Sequence, residues 1–366
     1  MKDLRSHALG VLCMGVLVST LQAAPLDADE EVMFVPGIAR TTDSGAIEVD
    51  VHAWLHEKEP LLVAHRVLAR YLDLDLKQLS PVERARFNRR AALFRTESEE
   101  DNVIELVIEG VNGRVALPPT ARSGRSDDRL LLDAGVARGP EQVVRFRAYT
   151  ALTDPRRFRG EARLVPAQGL SVISDIDDTI KHTDVRNQRE MLLNTFVRRF
   201  TPVEGMASHY RALAAGPDTR FHYLSSSPIQ LYPPLADFLA SSGFPAGSVH
   251  LRESTTWRTL IPSEGESRTH KLAVIERLLA DFPQRGFLLV GDSGEADPEI
   301  YGEIARAHPG QIRGIVIRDA TREPRESTRY AKAFEGVDER LWHVIHERDA
   351  WPVSLSASMP ASAPAR

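Results

Sequence analysis

The sequence predicts an α/β protein in which a doubly wound parallel sheet is preceded by a smaller, β-rich α+β accessory domain. Two observations carry that expectation. From Gly169 onward, compact apolar runs at 170–174, 221–224, 287–290 and 312–317 alternate with helical segments, as parallel strands covered on both faces do. Upstream of Pro166 the apolar residues alternate with polar ones, as at Ile47, Val49, Val51 and Leu55, which is the period of a half-buried strand.

Taken in order, residues 1–24 read as a signal peptide. Lys2 and Arg5 precede an apolar run over 8–21 that is too short to span a bilayer comfortably. Cleavage is expected after Ala23 or Ala24, although Leu21 stands where a small residue is preferred, and an uncleaved amphipathic anchor is the competing reading. A periplasmic or secreted protein is therefore expected. Cys13, the only cysteine, lies in that segment, so disulfides, thiolate zinc sites and cysteine nucleophiles are not expected in the mature chain. No later segment has the apolar length of a transmembrane helix. With 46 Lys+Arg against 51 Asp+Glu, the net charge is −5, which argues against a general nucleic-acid binder. A hydrophobic share of 42% with 27% charged residues fits a folded core rather than disorder or coiled coil.

Residues 25–166 form the accessory domain, of α+β or sandwich-like form, with β-like runs at 103–108 and 143–149 beside the strand at 47–55. Ser80-Pro81-Val82-Glu83 has the capping-box form with proline first, so a helix is expected from there to about Phe94. Pro118-Pro119 and residues 123–129 read as exposed loop. Arg84, Arg86, Arg89, Arg90 and Arg95 gather positive charge on the helix. That face suits either peripheral contact with an anionic membrane surface or simple solvation beside Glu83 and the acids of 97–101. Residues 167–350 form the second domain, with helices expected over 189–200, 232–241 and 271–281. Residues 351–366, rich in Ser, Ala and Pro, are expected to be a disordered tail.

Three polar clusters each follow an apolar run, where a doubly wound sheet delivers side chains to one crevice. In Ser174-Asp175-Ile176-Asp177-Asp178-Thr179, a turn can aim Asp175 and Asp177 at one small volume. Bare carboxylates so close repel, and a proton or a divalent cation resolves the conflict; oxygen ligands of this kind favour Mg2+. Ser225-Ser226-Ser227-Pro228 offers hydroxyls and N–H groups at an expected helix start, suited to a phosphate oxygen. Gly291-Asp292-Ser293-Gly294-Glu295-Ala296-Asp297 adds the carboxylates of Asp292 and Asp297, and Lys271, expected at the beginning of a helix, adds a positive charge.

The ordered set Asp175/Asp177/Thr179, Ser225, Lys271 and Asp292/Asp297 resembles the motifs of the haloacid dehalogenase superfamily of phosphohydrolases. More closely, residues 169–181, 222–233 and 291–301 resemble the actin-patch phosphatidate phosphatase catalytic domain, over about residues 165–319. The resemblance implies a Rossmann-like, haloacid dehalogenase-like fold. It also implies a Mg2+-dependent phosphomonoesterase, most specifically one that converts the phospholipid phosphatidate to diacylglycerol and phosphate. By the same resemblance Asp175 attacks phosphorus, and Asp177 protonates the leaving alkoxide and then activates water. Ser225, Ser226 and Lys271 would hold the phosphoryl oxygens, and Thr179 would orient Asp177. The metal group would draw on Asp175, Asp177 through its backbone carbonyl, Asp292 and, from behind, Asp297. The short stretch between Thr179 and Phe221 leaves little room for an elaborate cap.

Competing readings are weaker. A calcium loop starting at Asp175 would need glycine at Ile180 and glutamate at Arg186. A serine hydrolase centred on Ser293 lacks the glycine that Glu295 replaces. Two functional alternatives stand beside phosphatidate hydrolysis: a phosphatase for another phosphorylated lipid or metabolite, and a non-catalytic phosphate- or lipid-binding module. Lys181, His182 and Asp184 read as entrance or turn residues, Asp178 as a turn residue, and Arg268 and His270 compete with Lys271 for the cation role.

Overall fold

The computed structural model describes residues 25–58, 68–70, 72–94, 96–139, 142–216, 218–253, 262–346, 349 and 351. The expected signal peptide, all but one residue of the expected tail, and Arg95 lie outside these described residues.

The first sheet has nine strands: β1 (Glu30–Val35), β2 (Gly37–Thr41), β3 (Ile47–Lys58), β4 (Thr96–Ser98), β5 (Glu105–Ile108), β6 (Val115–Ala116), β7 (Arg125–Leu132), β8 (Val143–Ala148) and β9 (Arg159–Leu164). All pairings are antiparallel except that of β2 with β9. Val49, Val51, Ala53 and Leu55 of β3 are completely buried, as their alternation requires. β7 corrects the expected loop at 123–129. Its Asp127, Asp128 and Arg129 make the segment look like a turn, but Ser126, Leu130 and Leu132 point inward along an eight-residue pairing with β3. Helix α1 (Pro81–Ala92) begins on the expected capping box, with Ser80 and Glu83 each accepting a backbone N–H of the other.

The second sheet is parallel throughout. It contains β10 (Leu170–Asp175), β11 (Arg220–Pro228), β12 (Ser248–Arg252), β13 (Gly286–Asp292), β14 (Ile312–Arg318) and β15 (Trp342–Ile345), in the spatial order β12-β11-β10-β13-β14-β15. Its helices are α2 (Gln188–Leu192), α3 (Met206–Ala214), α4 (Tyr232–Ser241), α5 (Glu264–Asp281), α6 (Asp297–Ala307) and α7 (Thr328–Ala333). Successive strand residues point to opposite faces, and both are covered. Val172, Tyr223 and Val290 pack with Phe196, Tyr210 and Phe238, whereas Ile173, Leu289 and Ile315 pack with Ile275, Leu279 and Ile304. Val35, Trp54 and Phe87 of the first sheet and α1 join the former cluster. No helix among the described residues is long and apolar enough to cross a membrane.

Chain winding reverses between β10 and β13, so a crevice is expected beyond the carboxyl ends of that central pair. Three helix expectations need correction. The helix over 189–200 is a short α2 running into a π-helical turn at Leu193–Val197. Arg90 donates to the Thr195 and Arg198 carbonyls at 2.7 and 2.9 Å, and Arg86 donates to that of Val197 at 2.8 Å, serving carbonyls that the helix end leaves open. These two arginines therefore bind the neighbouring segment and do not form a free basic face. Helix α5 starts seven residues before Lys271, at the capping box of Ser263 and Glu266, so Lys271 lies about two turns inside it. The Ser225–Ser227 run belongs to β11, with Ile229–Leu231 intervening before α4.

Candidate active site

Asp175 ends β10 and Asp292 ends β13, the two strands flanking the reversal, and both are completely buried. Lys271 reaches them from α5. Its Nζ lies 2.8 Å from Asp175 Oδ1, 2.5 Å from Asp297 Oδ1 and 2.9 Å from Glu295 Oε2. Asp297, at the start of α6, also accepts the Asp292 N–H through Oδ2 at 3.2 Å. A Cβ on Gly291 would overlap that carboxylate and the Tyr301 ring (2.7 Å), so only glycine lets Asp297 approach.

A second polar centre surrounds Asp177. Lys181 Nζ pairs with its Oδ1 at 2.8 Å and Thr183 donates to the same oxygen at 2.8 Å. Ser225 and Ser227 donate to Oδ2 at 2.8 and 3.0 Å. The connecting turn is fixed by Asp178, which adopts φ 54° and accepts the N–H groups of Thr183, Asp184 and Val185 at 2.8, 2.8 and 2.7 Å. Thr179 donates to Asp175 Oδ2 at 3.0 Å, which corrects the expected bond to Asp177. Asp178 in the left-handed region changes the direction in which the following residue points.

The electrostatics separate the two carboxylates. Burial pushes Asp175 well above the usual carboxylate range; Lys271 opposes this, but Asp297, Glu295 and Asp292 add repulsion. Asp292 is raised for the same reasons, burial first. Burial alone would also raise Asp177, yet Lys181 and the surrounding hydroxyls overcome it and hold that carboxyl at about 2. Lys271 stays protonated: burial disfavours the ammonium, but Asp175, Asp297 and Glu295 hold it well above its ordinary value.

The donor set fits a hard cation. Asp292 Oδ2 is buried with no hydrogen-bond partner, and Asp175 Oδ1 receives the charge of Lys271 without an aligned hydrogen bond. Carboxylate oxygens of Asp175, Glu295 and Asp297 lie within 4.8 Å of one another. These buried acids could bind a metal ion.

Of the residues expected from sequence, Asp175, Lys271, Asp292 and Asp297 meet at one centre, and Asp177 and Ser225 at the adjoining one. Thr179 bonds to the first. Ser226 instead pairs with Ser267 of α5 at 2.6 Å. Of the competing cations, Arg268 binds Glu303, whereas Lys271 turns inward. Sequence reasoning missed Thr183 and Glu295 as site residues, placed Ser227 only in the hydroxyl run, and gave Lys181 no charge role at Asp177. Lys181, expected to line an entrance or turn, is 1% exposed, with its ammonium 4.7 Å from the Phe200 ring centroid. The only sequence signal for it is the four-residue step from Asp177. A cavity of about 70 Å³, lined by Asp177, Ser227 and Glu295 together with Met191, Phe196 and Leu231, gives on to the two centres.

Residues 170–319 match the family model "Phosphatidate phosphatase APP1, catalytic domain". Over that segment, less than half of the chain, the sequence is similar to the APP1 catalytic domain. The chain is 38% identical over 170 residues to phosphatidate phosphatase APP1 of Saccharomyces cerevisiae, covering 45% of this chain and 28% of the yeast protein. It is 34% identical over 171 residues to an uncharacterised Schizosaccharomyces pombe protein, covering 45% and 27% of the two chains. The chain thus spans little more than a quarter of the length of these relatives, and the likeness rests on the APP1-type domain. Among solved structures, a ferredoxin-NADP+ reductase from Plasmodium falciparum aligns at a TM-score of 0.20 and 6% identity over 79% of this chain and 95% of that one, a level from which no shared fold follows.

Proposed function

We propose that this chain is a Mg2+-dependent phosphoric monoester hydrolase that cleaves phosphatidate to diacylglycerol and phosphate, on a haloacid dehalogenase-like scaffold. The observation that carries the reading is the pairing of Asp175 and Asp177 at the carboxyl end of β10, in contrasting environments, inside the APP1-type segment. Two carboxylates two residues apart, each beside a buried lysine, Asp175 crowded by further carboxylates and Asp177 caged by hydroxyls, suit a nucleophile and a proton-transfer group. Export through residues 1–24 would place the enzyme in the periplasm or outside the cell.

In this reading an Asp175 oxygen forms a bond to phosphorus as the bond from phosphorus to the glycerol oxygen breaks. Asp177 delivers a proton to that oxygen, then takes one from the water that opens the aspartyl-phosphate. The proximity of Lys181, Thr183, Ser225 and Ser227 favours the ionised Asp177 needed for the second half. In the first half, an arriving phosphoryl group that draws Lys181 and the seryl hydroxyls to itself raises the proton affinity of Asp177. Lys271 holds Asp175 in line, Thr179 fixes its other oxygen, and Asp297 anchors both Lys271 and the Asp292 backbone. Mg2+ held by Asp175, Asp292 and the Asp177 carbonyl would offset charge on the phosphoryl oxygens. Met191, Phe196 and Leu231 would meet the apolar part of a lipid ester.

Phosphate release from micellar phosphatidate and from soluble monoesters, with Mg2+ and with chelator, tests the proposal. Preferential, chelator-sensitive release from phosphatidate is expected. Equal or faster release from soluble esters would point to another phosphorylated substrate, and binding without release to a non-catalytic module.

A further inference from the structure

We propose that the β8–β9 hairpin is a docking surface for an anionic phospholipid membrane, a role that does not depend on the reaction proposed above. Between residues 143 and 163 the chain carries six arginines against Asp154 and Glu161, in a protein whose net charge is −5. Both acids are committed elsewhere: Asp154 pairs with Arg156 at 2.7 Å, and Glu161 with Arg163 at 2.8 Å. Arg145, Arg147, Arg157 and Arg159 form no ion pair among the described residues, and they line one groove of about 680 Å³.

The strand geometry makes this grouping costly for the fold. Arg145 and Arg147 share one face of β8, and Arg147 stands opposite Arg159 across the pairing with β9. Like charges directly opposite on a sheet destabilise it, so stability of the hairpin does not explain Arg147 and Arg159, whereas Arg145 stands opposite Glu161. The aromatic floor needs Gly160, where a Cβ would meet the Phe146 ring at 2.8 Å. At the tip of the same hairpin Leu152 is 97% exposed, the most exposed of the large hydrophobic residues among those described. Arg157 donates to the Asp154 and Arg156 carbonyls at 2.8 Å and Arg147 to that of Ala148, all within the hairpin itself, so no carboxylate among the described residues neutralises their charge. An apolar tip beside guanidinium groups without ion pairs matches the boundary between acyl chains and phosphate headgroups. Tyr232, the first residue of α4, also lines the groove. Helix α1 suits this role less well, because Arg90 is buried and both Arg86 and Arg90 are tied to carbonyls of the separate 195–198 segment.

Cosedimentation of the full chain with phosphatidylcholine vesicles, with and without phosphatidylglycerol, tests the surface. The protein should bind the anionic vesicles selectively and lose them in about 0.5 M salt. Arg145→Gln with Arg159→Gln should weaken binding about 25-fold, and Leu152→Ser about fivefold, with unchanged thermal midpoints. Glu109→Gln, which removes the remaining acid of the groove, should tighten binding about threefold. Equal binding to both vesicle types, or arginine variants that bind like the parent, would overturn the proposal. Displacement by millimolar inorganic phosphate at constant ionic strength would assign the groove to a small anion and overturn it equally.

Discussion

Lys271 Nζ lies 2.8 Å from Asp175 Oδ1, and neither residue is more than 1% exposed. The ammonium is the one cation holding Asp175, Glu295 and Asp297 together among the described residues. Breaking a buried pair leaves an uncompensated charge, which costs far more than the pair itself contributes. Lys271→Met is therefore expected to destabilise the protein by about 3–5 kcal/mol. Urea unfolding measures this. Millimolar Mg2+ should restore more stability to the variant than it adds to the parent, because the cation then answers the freed carboxylates.

The raised carboxyls set a pH dependence of known sign. Asp175 and Asp292 bind protons more tightly folded than unfolded, so their contribution is present at acid pH and is lost as pH rises through their folded values. Metal-free protein should accordingly lose stability on going from mildly acid to neutral pH. Added Mg2+ should reverse the loss and release protons. Thermal melts with and without the ion, and titrations in two buffers of different ionisation enthalpy, measure both effects. A metal-independent melt and no proton release would remove these two aspartates from the ligand set.

Asp177 behaves in the opposite sense. Its carboxyl, held at about 2, contributes stability above the unfolded value near 3.8 that fades as pH falls toward 2. The contribution is on the order of 2 kcal/mol. Lys181→Met should remove most of it, steepening acid unfolding in the parent relative to the variant between about pH 4 and 2. The same variant should also slow turnover, because Lys181 is the charge that sets the protonation of Asp177.

Gly291→Ala tests the approach of Asp297 to the Asp292 backbone. The added methyl overlaps the Asp297 carboxylate and the Tyr301 ring in a fully buried site. A loss of about 1–3 kcal/mol is expected, with reduced Mg2+ affinity measured by calorimetry.

The chemistry-bearing strands were legible because burial on both faces demands unbroken apolar runs, and Leu170–Asp175 and Gly286–Asp292 meet that demand and stop at aspartate. The start of α1 was legible from a capping box. The box at Ser263 and Glu266 has the same form, but the first two turns after it are polar and the apolar period begins only at Leu272, so the pattern puts Lys271 at a helix start. β12 and β15 escaped because Ser248–Arg252 and Trp342–Ile345 are short, mixed sequences whose strand form depends on neighbours already in the sheet. β7 escaped because exposed acids on one face outweighed the alternation on the other. The partner of Thr179 depends on the left-handed conformation of Asp178, and that of Lys181 on a cage assembled from β10, β11 and the turn between them. Neither is a property of spacing alone.

Rapid acid quench of the full chain during turnover of phosphatidate labelled at phosphorus, followed by peptide mapping, addresses the proposed chemistry most directly. The expected result is an acid-stable, hydroxylamine-sensitive label on the peptide containing Asp175, with both label and phosphate release lost in Asp175→Asn. A label on another residue, or undiminished release from Asp175→Asn, would contradict it.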